Sequence, residues 1–307
     1  MMNKISDPDN FTPQPTQDGS FTFFSEEFDE AFHSHFGARQ ETYLKFVLPS
    51  QVQKAAGNGR VRILDVCYGL GYNTAAALQV IWEANPICYV EIIGLEINPA
   101  VPKAAINQRI FYDWDYEFRQ ILSELAFKHQ SYTERLKAKL LIGDARESIQ
   151  ILHQSGFQAD AIFLDPFSPP QCPQLWTVEF IQKLALCLHQ NGLIATYSCA
   201  AATRTALLAA GLVIGSTTPI GRNTPGTIAA YPRDEEEEMI PIPPLSEEEK
   251  EHLQTRAAIP YRDPQLRDAA EVIIMRRQQE QKASVLESTS QWKKRWVWKT
   301  ENKSRNN

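Results

Sequence analysis

VRILDVCYGLGYNT, residues 61–74, sets a short apolar, β-branched run directly before two glycines and a helical stretch. Val61, Ile63, Leu64 and Val66 have the composition of a strand buried in a parallel sheet. Gly69 and Gly71 let backbone approach a ligand where a Cβ would collide, and Asn73 or Thr74 can cap a helix that continues through Ala75, Leu78 and Ile81. Strand, glycine turn and helix in succession make a nucleotide-type crevice at the carboxyl end of the first strand. A dinucleotide fingerprint needs a third glycine where Thr74 stands, and no Gly-Lys-Ser/Thr follows, so NAD and ATP fit poorly. Two carboxylates are present instead. Asp65 precedes Gly69 by four residues, and Glu96 closes the next apolar run, residues 89–95. An acid in the second position can accept both hydroxyls of a ribose, and one near the glycine loop suits a cationic amino group.

A phosphate-free, cationic nucleoside such as S-adenosyl-L-methionine meets those requirements. Asp65, Gly69, Gly71 and Glu96 at this spacing resemble motifs I and II of the class I methyltransferases.

Composition bounds the remaining possibilities. A chain of 307 residues can bury one large α/β core or two smaller ones, and 43% apolar with 22% charged residues is ordinary for a globular protein. No apolar run approaches the roughly 18 residues of a membrane span, and the opening residues lack an apolar signal core, so a cytoplasmic protein with no membrane partner is expected. Cys67, Cys88, Cys172, Cys187 and Cys199 never pair as C-x-x-C, which suggests neither a disulfide framework nor a metal site. A net charge of −6 argues against a globally basic nucleic-acid binder but leaves local patches open.

Along the chain, residues 1–19 read as a mobile lead-in, 20–23 as a short strand, 26–32 as a helical turn and 38–48 as a helix stopped by Pro49. Strands are expected at 61–66, 89–96, 139–142, 159–164, 192–198, 212–216 and 227–231. Helices separate them, and 109–137 reads as an inserted helical segment. This alternation predicts an α/β, Rossmann-like doubly wound sheet, mostly parallel with an antiparallel last hairpin strand, over 20–231. Residues 232–282 read as an acidic, proline-rich linker and C-terminal helices, one opened by a capping box from Ser246 to Glu249. Residues 283–307 form a basic, aromatic tail, expected to be disordered.

Four strand ends converge on one crevice: the glycine loop, Glu96, Asp144-Ala145 and Asp165-Pro166-Phe167. Asp144 either accepts from the exocyclic amine of an adenine or caps the helix carrying Ile149 and Leu152. Asp165 is the candidate catalytic residue, its alternative being a turn cap. An alkyl amine is mostly protonated near neutral pH and attacks carbon only when neutral, so a carboxylate at this strand end can take or order that proton.

The run FLDPFSPPQCPQLWT, residues 163–177, resembles the F-L-D-G-F-A-P-x-x-N-P-x-[ML]-W-T segment of the MnmC-type tRNA methyltransferases. That family completes 5-methylaminomethyluridine derivatives at the anticodon wobble position. Phe28-Asp29-Glu30 with His33-Ser34 and Glu41, Gly69-Leu70-Gly71-Tyr72-Asn73, Ala195-Thr196-Tyr197-Ser198 and Gly221-Arg222-Asn223 are similar to its other motifs. The resemblance implies S-adenosyl-L-methionine held by Asp65, Gly69, Gly71, Asn73, Glu96, Asp144 and Ala145, with Glu41, Pro166, Phe167, Trp176 and Arg222 on the substrate side. It implies tRNA as partner, with a separate oxidase or other upstream wobble-uridine enzymes. Pro166 departs from the family glycine, no lysine follows Arg222, and nothing after residue 231 reads as a FAD oxidase domain, so a single-domain form without FAD is expected. Trp176 is either a base-stacking platform or core. The tail from Trp292 is either an RNA-holding arm or an end docked on its own domain. An aminopropyltransferase of the polyamine synthase type and a non-catalytic tRNA-binding module are the competing functions.

Overall fold

A computed structural model of the chain describes residues 11–219, 224–232 and 242–305, with side chains to 297 in the last segment. Four two-residue strands come first: β1 (Gln14–Pro15), β2 (Phe21–Thr22), β3 (Phe24–Ser25) and β4 (Glu30–Ala31). They pair as two antiparallel hairpins, β1 with β2 and β3 with β4. Two expectations are thereby corrected. Residues 11–19 are part of the fold, anchored by Phe11 against Phe23 at 5.4 Å between ring centroids. Residues 26–32 form a hairpin rather than a helical turn, because Asp29 adopts left-handed backbone (φ 52°) and reverses the chain. The spacing of Phe28 and Phe32 mimics a helix, but both rings instead pack on Phe167. Helix α1 (Ala38–Thr42) continues as a π-helical turn over Tyr43–Val47, and α2 (Val52–Ala55) follows.

The main sheet is then built by β5 (Arg60–Val66), α3 (Tyr72–Ala84), β6 (Tyr89–Glu96), α4 (Ala100–Asn107), α5 (Tyr116–Lys128), β7 (Gln130–Thr133), β8 (Leu136–Ile142), α6 (Ala145–Gln154), β9 (Ala159–Leu164), α7 (Val178–Leu186), β10 (Leu188–Thr196), α8 (Ala201–Ala209), β11 (Val213–Ser216) and β12 (Thr227–Ala230). The strand order is β11-β12-β10-β9-β5-β6-β8-β7. Strands β10, β9, β5, β6 and β8 run parallel, whereas β7 and the β11–β12 pair are antiparallel to their neighbours. This is the expected doubly wound sheet with a hairpin finish. Alternate residues of β5 enter opposite layers: Val61 and Ile63 pack with α3, α4 and α5, and Leu64 and Val66 pack with α6, α7 and α8. The chain leaves β5 toward β6 and β8, then returns to β9 on the other side. A crevice therefore opens between the carboxyl ends of β5 and β9, where the order reverses.

Segment 109–137 is only partly helical, since β7 hairpins onto β8 and β8 begins at Leu136. The lysines of this stretch hide a period of two: Leu136, Ala138 and Leu140 are buried, while Lys137 Nζ meets Glu91 Oε1 at 2.7 Å. Beyond the sheet lie α9 (Glu247–His252), α10 (Ala270–Ala283) and α11 (Thr289–Arg305). The capping box forms between Ser246 and Glu249. The acidic run 233–241 lies outside the described residues. The tail is a helix where disorder was expected: the indole of Trp292 is buried on His252 at 4.7 Å, and Arg295 reaches both Glu251 and Glu287.

Candidate active site

Gly71, rather than Asn73 or Thr74, precedes the first turn of α3, and its φ of 101° is open to glycine at little cost. A Cβ there would stand 2.7 Å from the Tyr68 hydroxyl. The two side chains read as caps serve the strand ends instead. Thr74 Oγ1 donates to Asp65 Oδ2 at 2.8 Å, and Asn73 Nδ2 donates to Asp165 Oδ2 at 2.9 Å. Asp65 is wholly buried and does not face the cavity, and its Oδ1 has no partner. Burial pushes its carboxyl up to about 7, against the bonds from Thr74 and Asn73. Glu96 closes β6 and accepts from the backbone N–H groups of Gly69 and Asn98, each at 2.8 Å. Burial raises its pKa while those two bonds oppose the rise.

The switch-point crevice opens into a cavity of about 880 Å³, within the size range of small-molecule sites. Gly69, Asn73, Glu96, Asp144 and Ala145 line it together with Glu41, Asp165, Pro166 and Phe167. Glu26, Glu27 and Glu30 add further acids to the wall, against one arginine, Arg146. His33 contributes no charge near neutrality, because burial holds its imidazole down to about 4. Arg146 is already engaged by Asp144 and Asp263. Such a cavity disfavours phosphates and favours cations. The unpartnered polar atoms Asn73 Oδ1, Gln174 Oε1 and Tyr68 OH and the surplus of carboxylate fit a cationic nucleoside such as S-adenosyl-L-methionine, whereas Gly71 does not line the cavity and its close approach is to Tyr68 and Leu122.

Asp144 caps α6, accepting from the backbone N–H of Arg146 at 2.8 Å, and it also lines the cavity. The cap reading therefore holds, and a role toward adenine stays compatible with it.

Asp165 follows β9 directly. Burial, and next the charge of Glu41, raise its pKa well above the ordinary carboxylate value, while Asn73 opposes the shift. The backbone after it is held from three sides. Tyr197 donates to Pro166 O at 2.8 Å, Trp176 Nε1 donates to Phe167 O at 2.9 Å, and Glu30 accepts from the N–H of Ser168 at 2.9 Å and from its hydroxyl. Phe167 stacks on Phe28 with centroids 4.4 Å apart. Trp176 is 0% exposed, so no face of its indole is open to a base; it is core, and the platform expectation is corrected. Glu41 accepts from the N–H of Ser34 at 2.8 Å at the cavity wall, and Arg222 lies outside the described residues. Sequence reasoning did not assign Glu30, Phe28 or Tyr197 to the site. Glu30 and Phe28 stand in the same motif block as Glu41, and Tyr197 stands at the end of β10, beside β9.

Among the described residues no helix is long and apolar enough to cross a membrane, and no group of His, Cys, Asp and Glu side chains could hold a metal ion.

Comparison with known proteins gives the site its family. Residues 110–232 match the family described as S-adenosyl-L-methionine-dependent methyltransferase. An uncharacterized protein of Methanocaldococcus jannaschii is 31% identical over 223 residues, covering 70% of this chain and 58% of that protein. The tRNA 5-methylaminomethyl-2-thiouridine biosynthesis bifunctional protein MnmC of Pseudomonas savastanoi pv. phaseolicola is 28% identical over 227 residues, 68% of this chain but 34% of its own length. The chain thus spans 58% of the first relative and about a third of the second. The crystal structure of MnmC2 from Aquifex aeolicus is similar over 92% of this chain and 88% of that one, with a TM-score of 0.77 and 32% identity. With that match along nearly the whole of both chains, on the same doubly wound sheet, the chain belongs to the MnmC-type family of S-adenosyl-L-methionine-dependent methyltransferases.

Proposed function

We propose that this chain N-methylates the aminomethyl group of a tRNA wobble uridine, giving 5-methylaminomethyl(-2-thio)uridine. The observation that carries this reading is the carboxylate pair Asp165 and Glu41 at the cavity wall, next to the glycine-loop crevice. When bound, S-adenosyl-L-methionine supplies a methyl group on a positively charged sulfur. Glu96 would hold ribose hydroxyls, Asp144 the adenine edge, and the Gly69–Gly71 turn the backbone approach. Asp65, below the loop, gives the amino end of the ligand a buried negative charge.

On the substrate side, the acidic wall draws in an alkyl ammonium and orients it. In the empty site Asp165 is held toward its protonated form, and two incoming positive charges favour its ionised form. The ammonium then gives its proton to Asp165, which leaves the lone pair free to attack. Asn73 fixes one carboxylate oxygen, and Glu30, Tyr197 and Trp176 hold the loop behind it, so the acceptor stays aimed.

The test is to incubate the full chain with S-adenosyl-L-methionine and tRNA bearing 5-aminomethyl-2-thiouridine, then analyse nucleosides by mass spectrometry. A gain of one methyl on that nucleoside is expected, and its absence with cofactor bound would refute the substrate assignment. The acidic wall also suits a diamine, which is the specific support for an aminopropyltransferase. Spermidine formed from putrescine and decarboxylated S-adenosylmethionine, with no nucleoside methylated, would establish that reading. A tRNA-binding module with a dead cofactor site would give no heat with S-adenosyl-L-methionine in calorimetry.

A further inference from the structure

Arg146 joins two acids that lie far apart in the chain. Its Nε and Nη2 fork onto Asp144, at 3.2 and 3.1 Å from the two oxygens and 2.7 Å respectively, and its Nη1 meets Asp263 Oδ2 and the carbonyl of Asp268, both at 2.9 Å. The Arg146 side chain is 12% exposed and that of Asp263 is 0% exposed. Asp263 belongs to the segment after the main sheet. Its Oδ1 accepts the backbone N–H groups of Arg267 and Asp268, at 3.1 and 3.2 Å, and its own N–H donates to Glu179 Oε2 at 2.8 Å. A buried carboxylate that is fully hydrogen-bonded and charge-paired is a fixed point, and a guanidinium gripping it in a set plane transmits that position.

Resting on the S-adenosyl-L-methionine reading above, we infer that Asp263 is a positioning residue for the nucleoside site: through Arg146 it fixes the Asp144 carboxylate in the orientation that selects adenine. Of the three, Asp144 alone offers an acceptor to the cavity, since Arg146, which also lines it, can only donate. It lines the cavity, it is one-third exposed at 32%, and because Arg146 brings three N–H groups to it, with Nε shared between the two oxygens, about one of its four lone-pair sites is left for a ligand. Held in one plane, it accepts the exocyclic N–H of adenine. Opposite a base with a carbonyl at that position it would place two acceptors face to face, which is a strong basis for rejection. Arg146 without Asp263 would retain its charge and its contact with Asp144 but lose the far anchor that sets its plane. The segment 261–268 would thus act on cofactor choice without touching the cofactor.

The readout is a ratio of affinities. Full-length protein is titrated by calorimetry with S-adenosylhomocysteine and with S-inosylhomocysteine, which differ at the exocyclic amine. The parent is expected to prefer the adenosyl ligand by roughly 100-fold or more. Asp263→Asn should lower that preference by about tenfold, mainly by weakening the adenosyl ligand. A purely structural role would weaken both ligands together and leave the ratio unchanged, and an unchanged ratio overturns the inference. Should Asp263→Asn fail to fold, Arg146→Lys provides the second arm: a point charge cannot fork onto Asp144 and still reach Asp263, and the ratio must fall there too. Failure of the parent to bind S-adenosylhomocysteine would instead overturn the cofactor reading, so the two failures are distinct.

Discussion

Replacing Asp165 by Asn leaves the shape of the site and removes the proton acceptor proposed for it. Asn73 Nδ2, now 2.9 Å from Asp165 Oδ2, can donate to the new amide oxygen, and the Glu30, Tyr197 and Trp176 contacts behind the loop involve backbone or Ser168. Cofactor affinity should therefore stay within about threefold of the parent. The loss in rate follows from the amine. An alkyl ammonium with a pKa near 10 has roughly one part in 10³ neutral at pH 7, so an enzyme that must wait for the neutral form loses about 10² to 10³ in turnover. The deficit should shrink about tenfold per pH unit as the amine deprotonates in solution. The parent behaves differently, since its rate falls only as the pH drops far enough to protonate Asp165 in the loaded site, where the two positive charges oppose the rise seen in the empty one. The assay is single-turnover methylation of aminomethyl-bearing tRNA from pH 6 to 9.5, with cofactor affinity measured separately. Turnover within about threefold of the parent at pH 7 would refute the acceptor role. A large loss that stays constant over the whole pH range would assign Asp165 to orientation alone.

Asp65→Asn tests the buried charge below the glycine loop. Because burial raises this carboxyl to about 7, its contribution to stability is complete below the unfolded value near 4 and is lost as pH rises through about 7; the amide should remove that part of the slope in urea melts. In calorimetry the parent should bind S-adenosylhomocysteine more tightly as pH rises through about 7, and the variant should lose this dependence; parallel profiles would remove Asp65 from the ligand's field. Trp176→Ala empties a fully buried site and should cost about 3–5 kcal/mol in unfolding free energy, with normal tRNA affinity among folded molecules. Unchanged stability with weakened tRNA binding would restore a platform role. Glu249 is held down to about 2: burial works against this, but bonds from Ser216, the Ser246 N–H and Arg204 outweigh it. Its contribution is present above pH 4.5 and lost as pH falls toward 2, so Glu249→Gln should be less stable at pH 6 and indistinguishable from the parent near pH 2.

The sheet was legible because most of its parallel strands contain an apolar run, such as Ile63-Leu64, Ile92-Ile93 and Ala161-Ile162-Phe163-Leu164, and Gly69 and Gly71 mark the turn that a ligand-binding first strand requires. What failed did so for local reasons. Lys137 looks like a loop residue until Glu91, on the neighbouring strand, neutralises it. Phe28 and Phe32 carry a helical spacing that a left-handed Asp29 overrides. Asp65 was placed at the right strand end but toward the wrong surroundings. It alternates in phase with Val61 and Ile63, the side of β5 that α3 covers, so a period-two count predicts burial under Thr74 rather than exposure to the ligand. The Arg146–Asp263 bond spans 117 residues, and no spacing rule reaches that far.

The two segments outside the doubly wound core bear on the same short stretch. From the amino-terminal side, Glu30 grips Ser168 and Phe28 stacks on Phe167. From the carboxyl-terminal side, Tyr261 accepts from Val178 N–H at 3.1 Å and pairs with Thr177, while Arg262 meets Glu179 at 2.7 Å. Residues 165–179 are thereby clamped between additions that a bare sheet lacks. A sheet of this kind supplies a nucleoside crevice at its switch point but says little about the acceptor, because the acceptor side is built from loops. Here those loops are immobilised by contacts at Ser168, Phe167, Thr177 and Glu179, and the carboxylate of Asp165 sits at their start. Precision in a reacting side chain comes from the groups that lock it, so the residues that set the acceptor of this methyltransferase are expected in the additions as much as in the strand ends.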